Sequence, residues 1–415
     1  MGFLYKLGTA AALAFDSIRV HKLRSFLTLL GVIVGVASVI LVGAAIDGLG
    51  VYAEQITAKA FGNDSFLVAQ IASVGRLTGK QLAEKQKYNK RIHKEDLEYL
   101  RSAAGEQIQY SPYQQRIEDV KAEGQVYEAA NVIGVSYNMP QIRDIPVASG
   151  RFFIEPEEKR RRPVAVIGED IRAALFPDRQ PLGREIKISG IGFTVVGVLE
   201  RQGSSFGQSL DNPVYIPSTV YRSLFGGSLS MIVFGKARTG SGLGMEQALD
   251  ATRVALRIRF HAHPGKPDNF DTLTPDSVRS FTGQILGVIA AVVVPVTGIS
   301  LLVGGIVIMN IMLVSVTERT HEIGIRKSLG ARRADIMLQF LTESLMLSLA
   351  GGAVGVILGA LAAWAVGAIS GATLAITAPY VILSIFVSSA VGIVSGWYPA
   401  RRAARLDPVE ALRAD

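Results

Sequence analysis

The sequence predicts a membrane protein with four transmembrane α-helices and a large α+β extracytoplasmic domain inserted between helices 1 and 2. The helices are predicted by three stretches without Asp, Glu, Lys or Arg, at residues 25–46, 280–317 and 344–400, which contain 22, 38 and 57 residues. Because about 20 apolar residues span a bilayer, the third stretch is long enough for two spans and a turn. The inserted domain is predicted by the residues between the first two stretches, which combine charges, turn signals and short β-rich runs.

The composition supports this class and excludes several others. Hydrophobic residues make up 49% of the chain and are concentrated in blocks, as in membrane proteins. The formal net charge is +8, but the basic residues gather beside the apolar stretches, where they suit anionic headgroups. Membrane lipids are therefore expected partners, and nucleic acid is not. The chain has no cysteine, which excludes disulfides, a thiolate catalyst and Cys-ligated zinc.

The amino-terminal segment, residues 1–22, is predicted to be a cytoplasmic amphipathic helix on the membrane surface. The alternative is an ordinary helical lead-in to the first span. The first span, residues 23–47, exceeds the about 7 to 15 apolar residues of a signal-peptide core, which disfavours a cleaved signal peptide. The apolar stripe of the amphipathic helix consists of Leu4, Leu7, Ala11, Phe15 and Ile18.

The inserted domain is predicted at residues 48–281. Residues 164–168, 185–188 and 193–198 are typical of strands bounded by Gly and Pro, whereas residues 94–104 and 245–260 are typical of helices. An α+β domain follows from this mixture.

The remaining segments follow from the two longer apolar stretches. The second helix would measure roughly 57 Å against a hydrocarbon core of about 30 Å, so it should project outside the membrane, with Pro295 near the outer face. Gly371 and Pro379 favour a turn that divides the last stretch. The predicted segments are helix 2 with an outer extension (282–316), a cytoplasmic loop (317–343), helix 3 (344–369), an outer turn (370–379), helix 4 (380–398) and a cytoplasmic tail (399–415).

The distribution of basic residues predicts the orientation. They gather in the amino-terminal lead, in loop 317–343 and in tail 399–415, whereas the turn between helices 3 and 4 carries no charge. With four spans these three segments share one side, which the positive-inside rule makes cytoplasmic. The chain is therefore predicted to be a multi-pass protein of the cell (inner) membrane with both termini cytoplasmic.

No catalytic or metal-binding motif supports enzyme activity. The phosphate-binding pattern GxxxxGK[ST] has no match, and His261 and His263 have no obvious third ligand. His321 lacks the second histidine of HExxH. The chain is therefore expected not to be an enzyme and to bind no cofactor or metal.

Two features inside the apolar stretches concern helix packing. Asn310 is the strongest polar side chain in the second span, and an interhelical hydrogen bond is favoured over a substrate contact. Gly351, Gly355 and Gly359 form a ridge of small residues that favours close helix packing.

Residues 322–331, EIGIRKSLGA, closely resemble the signature of the FtsX-like permease family, the membrane subunits of MacB-type ABC transporters. Residues 149–153 (SGRFF), 175–177 (LFP), 181–184 (PLGR) and 193–198 resemble the periplasmic core domain of MacB-like proteins. In that family one part of the domain is inserted into the other, which implies an inserted part at about residues 115–225 here. The tail also resembles the family's terminal pattern.

The resemblance implies a permease subunit without a fused ATPase domain. A separate ABC ATPase subunit would bind ATP and Mg²⁺, and the permease would pair with a second copy or a paralogue; a periplasmic adaptor is a further candidate partner. ATP-driven motion would reach the outer domain and drive export or efflux of a substrate. The alternatives are a transmembrane regulator of an extracytoplasmic partner such as a cell-wall hydrolase, and a lipoprotein-release permease.

The charged loop 317–343 is the candidate element for coupling to the ATPase. Arg332 and Arg333 follow Gly330, a helix stop, and would lie at the start of helix 3, where positive charge is unfavourable to the helix dipole. Lipid headgroups or an acidic partner surface would offset this; alternatively, the charges only anchor the loop at the membrane. The candidate coupling residues are Glu318, Arg319, Glu322, Gly324, Arg326, Lys327, Gly330, Arg332 and Arg333.

Overall fold

The computed structural model describes residues 22–62, 64–205, 208–226, 230–370, 374 and 376–413. The chain divides into a helical unit, Met1–Tyr52 with Gln284–Asp415, and an inserted domain, Ala53–Gly283. The amphipathic helix predicted for residues 1–22 lies outside the described residues apart from Lys22, and the predicted turn at 370–379 lies partly outside them.

The elements in chain order are α1 (Lys22–Phe61), β1 (Ser65–Ala69), α2 (Gly79–Tyr88), α3 (Lys94–Ala104), β2 (Ile108–Ala122), β3 (Gln125–Val135), α4 (Met139–Arg143), β4 (Val147–Gly150), α5 (Glu155–Lys159), β5 (Val164–Ile167), α6 (Glu169–Leu175), β6 (Glu185–Ile188), β7 (Ile191–Leu199), β8 (Ser204–Ser205), β9 (Gln208–Ser209), β10 (Pro213–Pro217), α7 (Ser218–Phe225), β11 (Ile232–Ala237), α8 (Met245–Arg259), β12 (Asp271–Leu273), α9 (Pro275–Glu318), α10 (Thr320–Ser328), α11 (Arg333–Ser370), α12 (Ala378–Arg405) and α13 (Pro408–Arg413).

Within the part of the chain that the structure describes, four helices are long and apolar enough to cross a membrane: α1, α9, α11 and α12. This confirms the predicted four-helix class. Three of these helices, α1, α9 and α11, extend well beyond the length that a bilayer requires. The 40 residues of α1 continue past the predicted boundary at residue 47 to Phe61, and the 44 residues of α9 give about 66 Å of helix, with Pro295 inside it.

The charged segments beside the spans are more helical than the sequence suggested. The predicted loop 317–343 contains α10 and the first turns of α11, and α12 continues through Pro399 into the predicted tail. Proline removes one helical hydrogen bond. Burial of Ala400, Ala403 and Ala404 in the core of the helical unit offsets that loss.

Small residues bring the helices of the helical unit into close contact. A Cβ atom added to Gly31 of α1 would lie 2.5 Å from the Cα atom of Gly304 in α9. Gly351, Gly355 and Gly359 of α11 lie against α1, as the predicted packing ridge requires. Such contacts suit membrane helices, whose association depends on close packing rather than on escape from water.

The inserted domain is built on a ten-stranded mixed sheet with the strand order β12-β1-β11-β2-β3-β10-β5-β7-β4. Strand β6 pairs with both β2 and β7, so that β2, β3, β10, β5, β7 and β6 close into a ring. Helices pack against both parts of the sheet, which confirms the predicted α+β class.

The ring and the rest of the inserted domain have separate hydrophobic cores. The core of the ring contains Val120, Phe176, Phe193 and Tyr221 among other buried residues. Its members lie between residues 120 and 221, within the range that the sequence predicted for the inserted part. The second core draws its residues from both sides of that range, between Phe66 and Tyr110 and between Met231 and Phe270.

A third core, which we call the junction core, contacts the end of α1 and the start of α9. Phe61 at the end of α1 is 4% exposed and packs edge-on against Phe234, with ring centroids 6.2 Å apart. Val278, in the first turn of α9, packs against the same cluster. The two helices that leave the inserted domain are therefore both anchored in one set of buried side chains. Its other members include Ile133, Val135, Met139, Ile142, Phe153, Val166 and Tyr215.

Candidate coupling site

The short helix α10 connects α9 to α11 and ends in a defined turn. Gly330 adopts φ +94°. Its amide donates to the carbonyl oxygen of Lys327 at 3.1 Å, and the Ala331 amide donates to that of Arg326 at 3.0 Å. These two bonds form a Schellman motif, whose left-handed position favours glycine. Gly330 therefore ends the helix, as the sequence predicted.

The start of α11 shows how the chain accommodates Arg332 and Arg333. Both side chains are exposed. Asp335 lies in the first turn, and its carboxylate accepts a hydrogen bond from the Arg332 amide at 3.3 Å. A negative charge at this position stabilises the helix N-terminus. Sequence reasoning missed Asp335, although an acidic residue in the first helical turn is a recognisable signal.

One face of α10 is buried in the helical unit. Ile323 is 2% exposed and packs in the core that contains Val316, Phe340 and Ala400. Gly324 beside it is also buried. These contacts fix the rotation of α10 about its own axis, and therefore which of its side chains are exposed.

Arg319 joins the beginning of α10 to α11. Its Nη1 atom lies 3.3 Å from both carboxylate oxygens of Glu343, whose side chain is 9% exposed. A buried carboxylate is costly without a partner, so Arg319 is needed to compensate Glu343. The candidate coupling residue Arg319 therefore has a structural contact within the chain.

Lys327 joins α10 to the end of α12. Its Nζ atom donates to the carbonyl oxygens of Ala404 at 2.8 Å and Leu406 at 2.6 Å. Carbonyl groups at a helix C-terminus lack helical partners, and a lysine can satisfy them. Burial, together with repulsion from Arg333, lowers the pKa of Lys327, against an opposing effect of Asp407. Lys327 therefore faces its own chain.

We expect Lys327→Met to loosen the contact between α10 and α12. The variant leaves two carbonyl groups without their donor, at a cost of about 1–3 kcal/mol, whereas Lys327→Arg keeps a donor. Amide hydrogen exchange of residues 400–413 should be faster in Lys327→Met than in Lys327→Arg. The exposed Arg332→Met is the matched control, and equal exchange in all variants would contradict this role.

The other face of α10 is open. Ile325 is 42% exposed, and Leu329, the C-cap residue directly after α10, is 83% exposed; a spacing of four places them on one side. Glu322 forms an ion pair with Arg326 beside them, and Arg326 Nη1 donates to Gln339 Oε1 at 2.6 Å. We call Ile325, Leu329 and the Glu322–Arg326 pair the coupling face. Sequence reasoning missed its two apolar residues, which stand out as apolar positions opposite Ile323.

The structure thus divides the predicted coupling residues. Two side chains, those of Arg319 and Lys327, contact other parts of the helical unit. Gly324 is buried, and Gly330 forms the turn after α10. Glu318, Glu322, Arg332 and Arg333 are exposed, and Arg326 is half-buried. Within the described ranges, no group of three or more His, Cys, Asp or Glu residues is placed to hold a metal ion.

This arrangement defines a class of protein: a membrane protein with a large domain inserted after its first span. The model of the MacB-like periplasmic core domain matches residues 25–254, and that of the FtsX-like permease C-terminal region matches residues 295–408. The first match covers more than half of the chain. The protein therefore belongs to the MacB/FtsX-like family of ABC transporter permeases, and the inserted domain is its periplasmic-type domain.

Similar proteins cover nearly the whole chain. The macrolide export ATP-binding/permease protein MacB of Bdellovibrio bacteriovorus is 35% identical over 410 residues, 96% of this chain and 60% of that protein. The uncharacterized ABC transporter permease YknZ of Bacillus subtilis is 34% identical over 409 residues, 97% of this chain and 98% of that protein. The chain thus spans about three fifths of the length of the MacB relative.

Among solved structures, the periplasmic region of MacB from Actinobacillus actinomycetemcomitans is 15% identical, with a TM-score of 0.43. It covers 54% of this chain and 94% of that one.

Proposed function

We propose that this chain is the permease subunit of an ABC exporter, in which α10 receives a separate cytoplasmic ATPase and passes its motion to the periplasmic-type domain. The observation that carries this proposal is the coupling face, where Ile325 and Leu329 are exposed on a helix that its own unit holds firmly. The relatives named as export ATP-binding/permease proteins support the direction of transport.

The contacts of α10 make it suited to transmit force. It follows α9 directly, it is tied to α11 by Arg319 and Glu343, and it is tied to α12 by Lys327. Displacement of α10 would therefore move several spans together. Since α9 is one continuous helix from Pro275 to Glu318, the same displacement would reach the junction core through Val278.

An open cleft of about 900 Å³ in the inserted domain is the place where this motion can act. The last turns of α1 form part of its wall through Ile56 and Lys59. Lys59 Nζ donates to the Gln202 carbonyl at 2.9 Å, and Arg143 Nη2 donates to the Lys59 carbonyl at 2.9 Å. We propose that the exported substrate contacts this cleft and that movement of α1 changes the width of the cleft.

The test is purification of the tagged chain with its native partners. An ABC ATPase should copurify, the complex should hydrolyse ATP, and the chain alone should not. Reconstitution into vesicles should then give ATP-dependent movement of the bound compound. A complex without an ATPase would refute the proposal, and one that stimulates an outer hydrolase without moving any compound would favour the regulatory alternative.

The proposed orientation predicts a labelling pattern. Ser102 of α3 and Ser328 of α10 are both exposed, and the chain has no native cysteine. In intact cells or spheroplasts, an impermeant thiol reagent should modify Ser102→Cys and spare Ser328→Cys. Ser328→Cys should react once the membrane is permeabilised. The reverse pattern would place the coupling face outside the cell and overturn the assignment.

A further inference from the structure

The exposed side of α12 changes in chemical character toward the end of the helix. Its opposite side is buried in the helical unit, for example at Ala400 and Ala403. The exposed side is apolar as far as Val394, then aromatic, then basic. Its residues follow the helical spacing of three and four and form one stripe: Ile382, Phe386, Ala390, Val394, Trp397, Tyr398, Arg401, Arg402 and Arg405.

The length of α12 places this change of character at the membrane surface. From Ala378 to Trp397 the helix is about 29 Å long, close to the roughly 30 Å thickness of the hydrocarbon core of a bilayer. Trp397 and Tyr398 are 46% and 52% exposed, and Trp and Tyr are enriched at the level of the lipid headgroups. Arg401 and Arg405 follow Trp397 at one and two helical turns, so they lie at the headgroups or just beyond them.

The three arginines of the stripe have no carboxylate partner among the described residues. Arg401 stacks on the ring of Trp397, with its Cζ atom 5.3 Å from the ring centroid. Arg402 and Arg405 are exposed and form no hydrogen bond or ion pair with a described residue. Arg319, in contrast, pairs with a glutamate of its own unit. Three guanidinium groups on one side of α12 are therefore available to an anion.

Capping of the helix end does not account for these arginines. Basic residues in the last turn of a helix often bond the carbonyl groups that lack helical partners. At the end of α12 that role belongs to Lys327 of α10, which donates to the carbonyl oxygens of Ala404 and Leu406. Within the described chain, neither Arg402 nor Arg405 donates to a carbonyl oxygen. The two guanidinium groups are therefore not needed to close the helix.

We propose that the end of α12 binds an anionic phospholipid, with its headgroup phosphate on the three arginines, its glycerol backbone beside the two aromatic rings and an acyl chain along the apolar part of the stripe. Guanidinium groups bind phosphate oxygens through paired hydrogen bonds. A lipid matches both the charge and the apolar part of the stripe, whereas a soluble anion would match the charge alone. Because Lys327 joins this end of α12 to α10, the bound lipid would also hold α10 at the membrane surface. The inference goes beyond the proposed function and does not depend on it.

The two tryptophans of the chain provide a probe and a matched control. Trp397 lies beside the arginines, whereas Trp364 is 73% exposed on α11 in a stretch without charged residues. Full-length Trp364→Phe and Trp397→Phe, each with one tryptophan left, are placed in vesicles that contain brominated phosphatidylglycerol or brominated phosphatidylcholine, because bromine quenches tryptophan fluorescence on contact. Half-maximal quenching of Trp397 should need about 5- to 30-fold less of the anionic lipid, and Trp364 should respond equally to both. Equal quenching of Trp397 by the two lipids would refute the proposal.

A second pair of variants distinguishes a lipid site from diffuse attraction to a basic surface. In the background that retains only Trp397, the double variant Arg402→Gln/Arg405→Gln removes two charges and leaves the third arginine on the ring. The control, Arg332→Gln/Arg333→Gln, removes the same charge from exposed residues at the start of α11. The first variant should lose most of the preference for the anionic lipid, and the control should keep it. Equal loss in both variants would show diffuse attraction only, and a preference kept in both would show that these arginines are not ligands; either result would overturn the proposal.

Discussion

Replacing Ile325 and Leu329 together by Gln is expected to abolish capture of the ATPase while the permease itself remains folded. Both side chains are exposed in the chain, so the change should alter its stability by no more than about 0.5 kcal/mol. In the complex, loss of their apolar burial should cost about 2–4 kcal/mol, which raises the Kd about 30- to 700-fold. The measurement is titration of the purified permease, in detergent or nanodiscs, with the purified ATPase.

The control for this variant is Ile258→Gln. Ile258 is 61% exposed on α8 of the inserted domain, so it undergoes the same chemical change at comparable exposure. It should bind the ATPase like the parent chain. If the double variant also binds with the parent Kd, the coupling face is not the docking surface.

The second large effect is expected for Phe61→Ala. Removing this buried ring from the junction core should destabilise the inserted domain by about 3–5 kcal/mol and free the end of α1. The ATPase should still bind, because the coupling face is unchanged, but less substrate should be moved for each ATP hydrolysed. Faster amide exchange at residues 56–61 would show that the anchor has been lost.

Phe176→Ala separates loss of stability from loss of transmission. Phe176 is also fully buried, but it lies in the core of the ring and not in the junction core. A similar fall in thermal stability is expected, with transport per ATP better preserved than in Phe61→Ala. If the two variants lose transport equally, then stability of the domain explains the effect and the junction core has no special role.

Much of this protein could be predicted from its sequence because the relevant signals are local. The four spans follow from uncharged stretches, since a bilayer of fixed thickness selects length and apolarity without reference to packing. The same is true of Gly330, whose turn requires a positive φ that glycine adopts readily. The strands at residues 164–167 and 185–188 were likewise recognised from short β-rich runs between turn residues.

The predicted ends of the helices were less accurate where tertiary contacts extend the helix. Phe61 marks the end of α1 because it reaches the junction core, far past the residues that a membrane requires. Pro399 favours a helix end when it is considered alone. The burial of Ala400 and Ala403 stabilises the helix beyond it.

By itself, the sequence determined the class of protein, the number of spans and the position of the charged segment between the second and third spans, since each depends on composition within a short window. Only the tertiary structure decided which residues of that segment are held by their own chain and which are exposed. Arg319 and Lys327 bond to their own chain, whereas Ile325 and Leu329 remain exposed. The physical reason is that the outward face of a helix depends on what packs against the other face, and the residues that bury Ile323 come from α9, α11 and α12, which are distant in sequence.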